Sequence, residues 1–116
     1  MDARAEGAKL IVTLTDADIA GEPAIRATGE RLTQLVYQGA RYLVLDIKHT
    51  TYLSSAVLAM LITLHKLLDA ADGAFVIRNP SDQVDELFRI TRLSEILDIE
   101  HEDTGTGGNA SSAGPE

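Results

Sequence analysis

From Tyr42 to Ile47 the chain reads Tyr-Leu-Val-Leu-Asp-Ile, a nearly continuous apolar run of strand-forming residues. A strand apolar on both of its sides is one covered on both faces, as central strands of parallel sheets are. Parallel strands need crossover segments to join them, and the flanking sequence supplies these. From Pro23 to Gln38, Ile25, Gly29, Leu32 and Val36 recur at helical spacing, with Pro23 suited to the first turn and Gly39 to a left-handed stop. Gly29 reads as a close approach of this helix to the sheet. A second helical pattern runs from Ser54-Ser55 to about Ala71, with Gly73 as its terminator.

Shorter strands are expected at Lys9-Leu10-Ile11-Val12-Thr13-Leu14 and Ala74-Phe75-Val76-Ile77, and Ile99 fits an edge strand. Asn79-Pro80-Ser81-Asp82 reads as a helix start, with Asn79 as cap, proline in the first helical position and an acid in the first turn. Val84, Leu87, Phe88 and Thr91 form that helix's inward stripe, and Leu93, Ile96 and Leu97 one more short turn. The pattern predicts an α/β fold: a mixed sheet of about four to five strands with right-handed crossovers and about four helices packed mainly on one face.

At 116 residues and 45% hydrophobic content the chain suits one domain with a core of its own. It has no cysteine, so neither a disulfide framework nor a thiolate metal site is available. The net charge of −8 argues against nucleic acid as a partner. The expected organisation is a flexible N-terminus or short first strand over 1–7, a domain over 8–102, and an acidic Gly/Ser tail over 103–116 that cannot bury a core and is expected to be disordered. The apolar stretch Ala56–Leu64 is too short to span a membrane and the first residues lack a secretory pattern, so a cytoplasmic location is expected.

The chemistry concentrates where strand gives way to helix, at Tyr52-Leu53-Ser54-Ser55-Ala56-Val57-Leu58. Two adjacent hydroxyls there meet unpaired backbone N–H groups and the positive end of a helix dipole, a place for a cap, a phosphate or a partner. Ser54 is the expected helix cap. On a helical wheel the following residues, Val57, Leu58, Met60, Leu61 and others through Leu68, fill an arc of roughly 220°, wider than a sheet alone requires. Neighbouring helices can cover the margins, or Val57 and Met60 can form an apolar patch for a partner protein.

With these residues in place the chain resembles the STAS family, the domain of bacterial anti-sigma-factor antagonists. The resemblance rests on Leu43-Val44-Leu45-Asp46-Ile47 leading through the serine junction to Leu61-Ile62, then Gly73, Asn79-Pro80 and Leu87-Phe88-Arg89-Ile90-Thr91-Arg92-Leu93, and covers about residues 8–101. It implies a STAS-like fold, no enzymatic activity and no cofactor. It further implies partner switching: binding to an anti-sigma-factor serine kinase of the GHKL ATPase type through Tyr52, Ser54, Ser55, Ala56, Val57 and Met60, phosphorylation at Ser55, and resetting by a metal-dependent serine phosphatase. A monomer or weak dimer is expected. The family's Asp-Ser-Ser-Gly junction differs here at three positions: Ser54 replaces Asp, Ala56 the second Ser and Val57 the Gly, while Ser55 holds the phosphoacceptor place. A scaffold or transporter-accessory module using the same face without phosphorylation is the alternative.

Other chemistries find less support. His49, His65 and His101 have no metal-ligand spacing, and Asp16 and Asp18 are explained by a strand-ending turn. Ser55 and His65 lie ten helical residues apart, ~15 Å, too far for a hydrolytic triad. A phospho-accepting receiver domain could use Asp46, but Ile77-Arg78-Asn79 lacks the lysine it needs. Gly105-Thr106-Gly107-Gly108 is not flanked by the strand and helix of a phosphate loop, and Asn109-Ala110-Ser111 is a glycosylation pattern without weight in a cytoplasmic tail.

Overall fold

The computed structural model describes residues 1–102. Five strands form one sheet in the order β1-β2-β3-β4-β5: Asp2–Glu6, Lys9–Thr15, Tyr42–His49, Ala74–Arg78 and Asp98–Glu100. β1 runs antiparallel to β2 through a tight turn at Gly7, and the other neighbours are parallel. Three helices make the crossovers, α1 (Glu22–Tyr37), α2 (Ser55–Ala70) and α3 (Asp82–Ile90), with short 3-10 turns at Asp16–Ile19 and Leu93–Glu95. The expected fourth helix is only the second of those turns. The expected tail, 103–116, lies outside the described residues.

The helices lie on one face. Leu43, Leu45 and Ile47 of β3 join Val12 and Leu14 of β2, Phe75 and Ile77 of β4, and the inward residues of every helix in one buried cluster. The second cluster holds only sheet residues: Ile11, Val44 and Val76, side by side across β2, β3 and β4, with Tyr42 packed against them. The apolar run 42–47 is therefore central but not sandwiched by helices. Its second face is buried by its own neighbours, with Lys9 Nζ 5.3 Å above the Tyr42 ring. In the adjoining row Asp46 pairs in register with Arg78, and Arg78 with Glu100. The Arg78 guanidinium Nε donates to Glu100 at 2.7 Å.

The helix ends show which residue does which job. After α1, Gly39 takes φ +116°, and the Ala40 N–H reaches Leu35 O at 3.0 Å, a Schellman closure. After α2 the left-handed residue is Asp72 (φ +58°), not Gly73, whose N–H closes the same motif on Leu68 O at 2.7 Å. Gly73 is required for another reason: a Cβ there would stand 2.5 Å from the Arg41 carbonyl oxygen. Gly29 marks an approach of α1 to α2, against Met60, rather than to the sheet.

Asn79 does not cap α3. That role falls to Ser81, which directly precedes the helix and whose hydroxyl accepts from the N–H of its third residue, Val84, at 3.2 Å. Asn79 instead sits at φ +60° just past β4 and links it to its two neighbours, its Oδ1 accepting from the Glu102 N–H beyond β5 at 2.7 Å and its Nδ2 donating to Asp46 of β3 at 3.4 Å.

Candidate functional site at the start of α2

β3 ends at His49, and five residues separate it from α2, which begins at Ser55. Thr50 turns the chain: it is buried, and both its N–H and its hydroxyl donate to the Ile47 carbonyl, at 3.0 and 2.9 Å. Thr51 is fastened from elsewhere. Its N–H and hydroxyl donate to the two carboxylate oxygens of Asp16, at 2.8 and 3.0 Å. Ser54, in extended conformation, is the N-cap of α2, accepting from the Val57 N–H at 3.3 Å while its carbonyl receives the Leu58 N–H at 3.0 Å.

Ser55 is the first residue of α2 and is exposed, and its hydroxyl has no hydrogen-bond partner among the described residues. With Val57 and Leu58 already paired, the N–H groups of Ser55 and Ala56 are the donors left at this helix start. The place suits an added anion, because N–H groups and the helix dipole favour negative charge there.

The structure divides the residues grouped here by sequence. Tyr52, 52% exposed, Ser55 and Ala56 face outward, and Ser54 and Met60 are half-buried. Val57 is 1% exposed and belongs to the core, so it cannot be part of a partner-binding patch. The third residue of a helix with sheet beneath and α1 beside it has its side chain turned inward. The accessible apolar surface is instead a groove of about 480 Å³ between α1 and α2, lined by Ile25, Gly29, Tyr37, Ala56, Ala59 and Met60 among others. Asp46, the acid a receiver domain would need, is 3% exposed and accepts from the Lys48 N–H at 3.0 Å as well as from Asn79. No helix of the described residues is long and apolar enough to cross a membrane.

The STAS domain model matches residues 4–104, which take in the sheet from β2 to β5 and the start of α2. The chain belongs to the STAS family. The anti-sigma-B factor antagonist of Bacillus subtilis (strain 168) is 30% identical over 90 residues, 78% of this chain and 79% of that protein. Among solved structures, the anti-sigma factor antagonist SpoIIAA in its unphosphorylated form superimposes with a TM-score of 0.74 at 14% identity, covering 89% of this chain and 88% of SpoIIAA. A chain of the stressosome, described as a signal integration and transduction hub, gives 0.67 at 17% identity over 91% of each. At these identities the structural matches establish the fold. The α/β class expected from the sequence, with a mixed sheet and one helical face, is that of this family.

Sequence reasoning missed Asp16. In the sequence it reads as a turn-former, and no local pattern joins it to Thr51, 35 positions on. Only the parallel pairing that sets Thr15 beside His49 brings the two together.

Proposed function

We propose that this chain is a non-enzymatic, cytoplasmic anti-sigma-factor antagonist that acts by partner switching. It binds an ATP-dependent anti-sigma serine kinase through the start of α2, phosphorylation of Ser55 ends that binding, and a metal-dependent serine phosphatase restores it. The observation that carries the reading is Ser55 itself, exposed at the first position of a capped helix with its hydroxyl unpaired among the described residues. The similarity to the anti-sigma-B factor antagonist supports the same reading.

The geometry gives the switch a mechanism. A phosphate at Ser55 adds about −1.5 to −2 charges at a helix N-terminus, which tolerates them, so the fold persists. The cost falls on the docked partner, which must desolvate a dianion beside Tyr52, Ala56 and Met60. Val57 in place of the family's glycine does not obstruct this, since its side chain is inside. Ser54 keeps the cap but lacks the charge of the family's Asp, and that one departure favours the second reading, a STAS scaffold or transporter-accessory module that uses the same face without phosphorylation.

The test pairs the purified chain with each anti-sigma serine kinase of its own genome. Binding of one kinase, followed after ATP addition by the mass of one phosphate that Ser55→Ala does not acquire, is the expected result. Binding equally strong in Ser55→Asp, with no phosphate transferred, selects the scaffold reading. No binding by either the wild type or Ser55→Ala removes the kinase-switch reading.

A further inference from the structure

The loop that delivers Ser55 is held at its two ends by its own residues, by Thr50 on Ile47 and by the Ser54 cap. Between them Thr51, Tyr52 and Leu53 form neither strand nor helix. Leu53 packs against the core, and among the described residues the side chain that hydrogen-bonds into this stretch from another part of the chain is Asp16, at 2.8 Å from the Thr51 N–H and 3.0 Å from its hydroxyl. Both bonds are charge-assisted. Because one carboxylate takes the amide and the hydroxyl of the same residue, it fixes how Thr51 is turned as well as where it lies. Asp16 is itself well placed to hold something still, since it follows directly on β2, where Thr15 pairs with His49.

An exposed pair of hydrogen bonds adds little to global stability. Its effect is local, because cutting it frees the residues that lead into Ser55, and their ordering must then be paid for when a partner binds. From this geometry we infer that Asp16 is a positioning residue: it holds Thr51 so that the loop presents Ser55 to the kinase in a single conformation. The role in recognition rests on the function proposed above, while the grip on the loop does not.

The experiment uses the full chain as wild type, Asp16→Ala, Asp16→Asn, Thr51→Val and the double variant Asp16→Ala/Thr51→Val. Three quantities are measured: amide exchange at Thr51–Leu53, the thermal midpoint, and the affinity for the kinase that the wild type binds. Asp16→Ala is expected to speed Thr51 exchange and to weaken kinase binding, each about tenfold, with the midpoint hardly moved. Asp16→Asn, which can accept from the Thr51 N–H and donate to its hydroxyl, retains most of the affinity, and the double variant binds no worse than Asp16→Ala.

Unchanged exchange in Asp16→Ala overturns the grip, and fast exchange with wild-type affinity overturns the positioning role. Asp16→Asn as weak as Asp16→Ala beside a normal Thr51→Val makes Asp16 a direct charge contact and overturns it too. A wild type that binds no kinase removes the proposed function instead, and exchange then still decides whether Asp16 holds the loop.

Discussion

Gly29 of α1 lies against Met60 of α2: a Cβ at position 29 would stand 3.3 Å from Met60 Sδ and 3.4 Å from its Cγ. Contact this tight normally forbids a larger residue, but the neighbour is the end of a flexible, half-buried thioether that can shift by a few tenths of an ångström. Replacing a mid-helix glycine by alanine gains about 0.5–1 kcal/mol of helix stability. Gly29→Ala is therefore expected to be neutral or stabilising in urea unfolding.

Gly73 gives the opposite result. A Cβ there meets the Arg41 carbonyl oxygen at 2.5 Å and Leu68 Cδ2 at 2.9 Å, and the first of these is backbone that also receives the Ala74 N–H. Gly73→Ala is expected to cost about 2–3 kcal/mol, within the range of strained backbone substitutions. Equal midpoints for the two alanine variants would contradict this account of both glycines.

Ser54 and Val57 share one hydrogen bond but contribute differently. Ser54→Ala removes a cap and is expected to cost about 1 kcal/mol, while Ser54→Asp keeps the cap and adds favourable charge at the helix start. Val57→Ala removes two buried methyls and leaves a cavity, a loss of about 2 kcal/mol. Chemical denaturation of the three variants checks the order Val57→Ala, Ser54→Ala, Ser54→Asp from least to most stable.

Much of the fold could be read from the sequence because its signals are local. The apolar run 42–47, the helical spacing of Leu32 and Val36, and Gly39 past the end of α1 each act within a few residues. The site was harder. A helical wheel puts Val57 and Met60 in one apolar arc but cannot say which edge of it α1 leaves open, and Val57 went inside. Asn79 and Ser81 are both good caps; Ser81 stands where its hydroxyl meets the Val84 N–H, while Asn79 is taken up by Asp46 and Glu102, 33 and 23 positions away. The Asp16 contact with Thr51 spans 35 positions and has no sequence signature.

Asp18 makes stability depend on pH. Partial burial pushes its carboxyl up, but hydrogen bonds from the Thr15 N–H and the Met1 ammonium outweigh this, so it lies below its ordinary 3.8. A lowered folded value means that its contribution is fully present above 3.8 and is lost as pH falls through the lower folded value. The gap in thermal midpoint between wild type and Asp18→Asn is expected to be constant from about pH 5 to 7 and to close below about pH 4. A gap that persists undiminished in strong acid would contradict the assignment.

The central claim is that the state of one hydroxyl at the start of α2 decides whether the kinase can dock. The most direct measurement is calorimetric titration of that kinase with the chain bearing phosphate on Ser55 and with the unmodified chain. The account predicts that the unmodified form binds and that the phosphorylated form, still folded by circular dichroism, has lost at least a hundredfold in affinity, about 2.7 kcal/mol. Equal affinity of the two forms contradicts it.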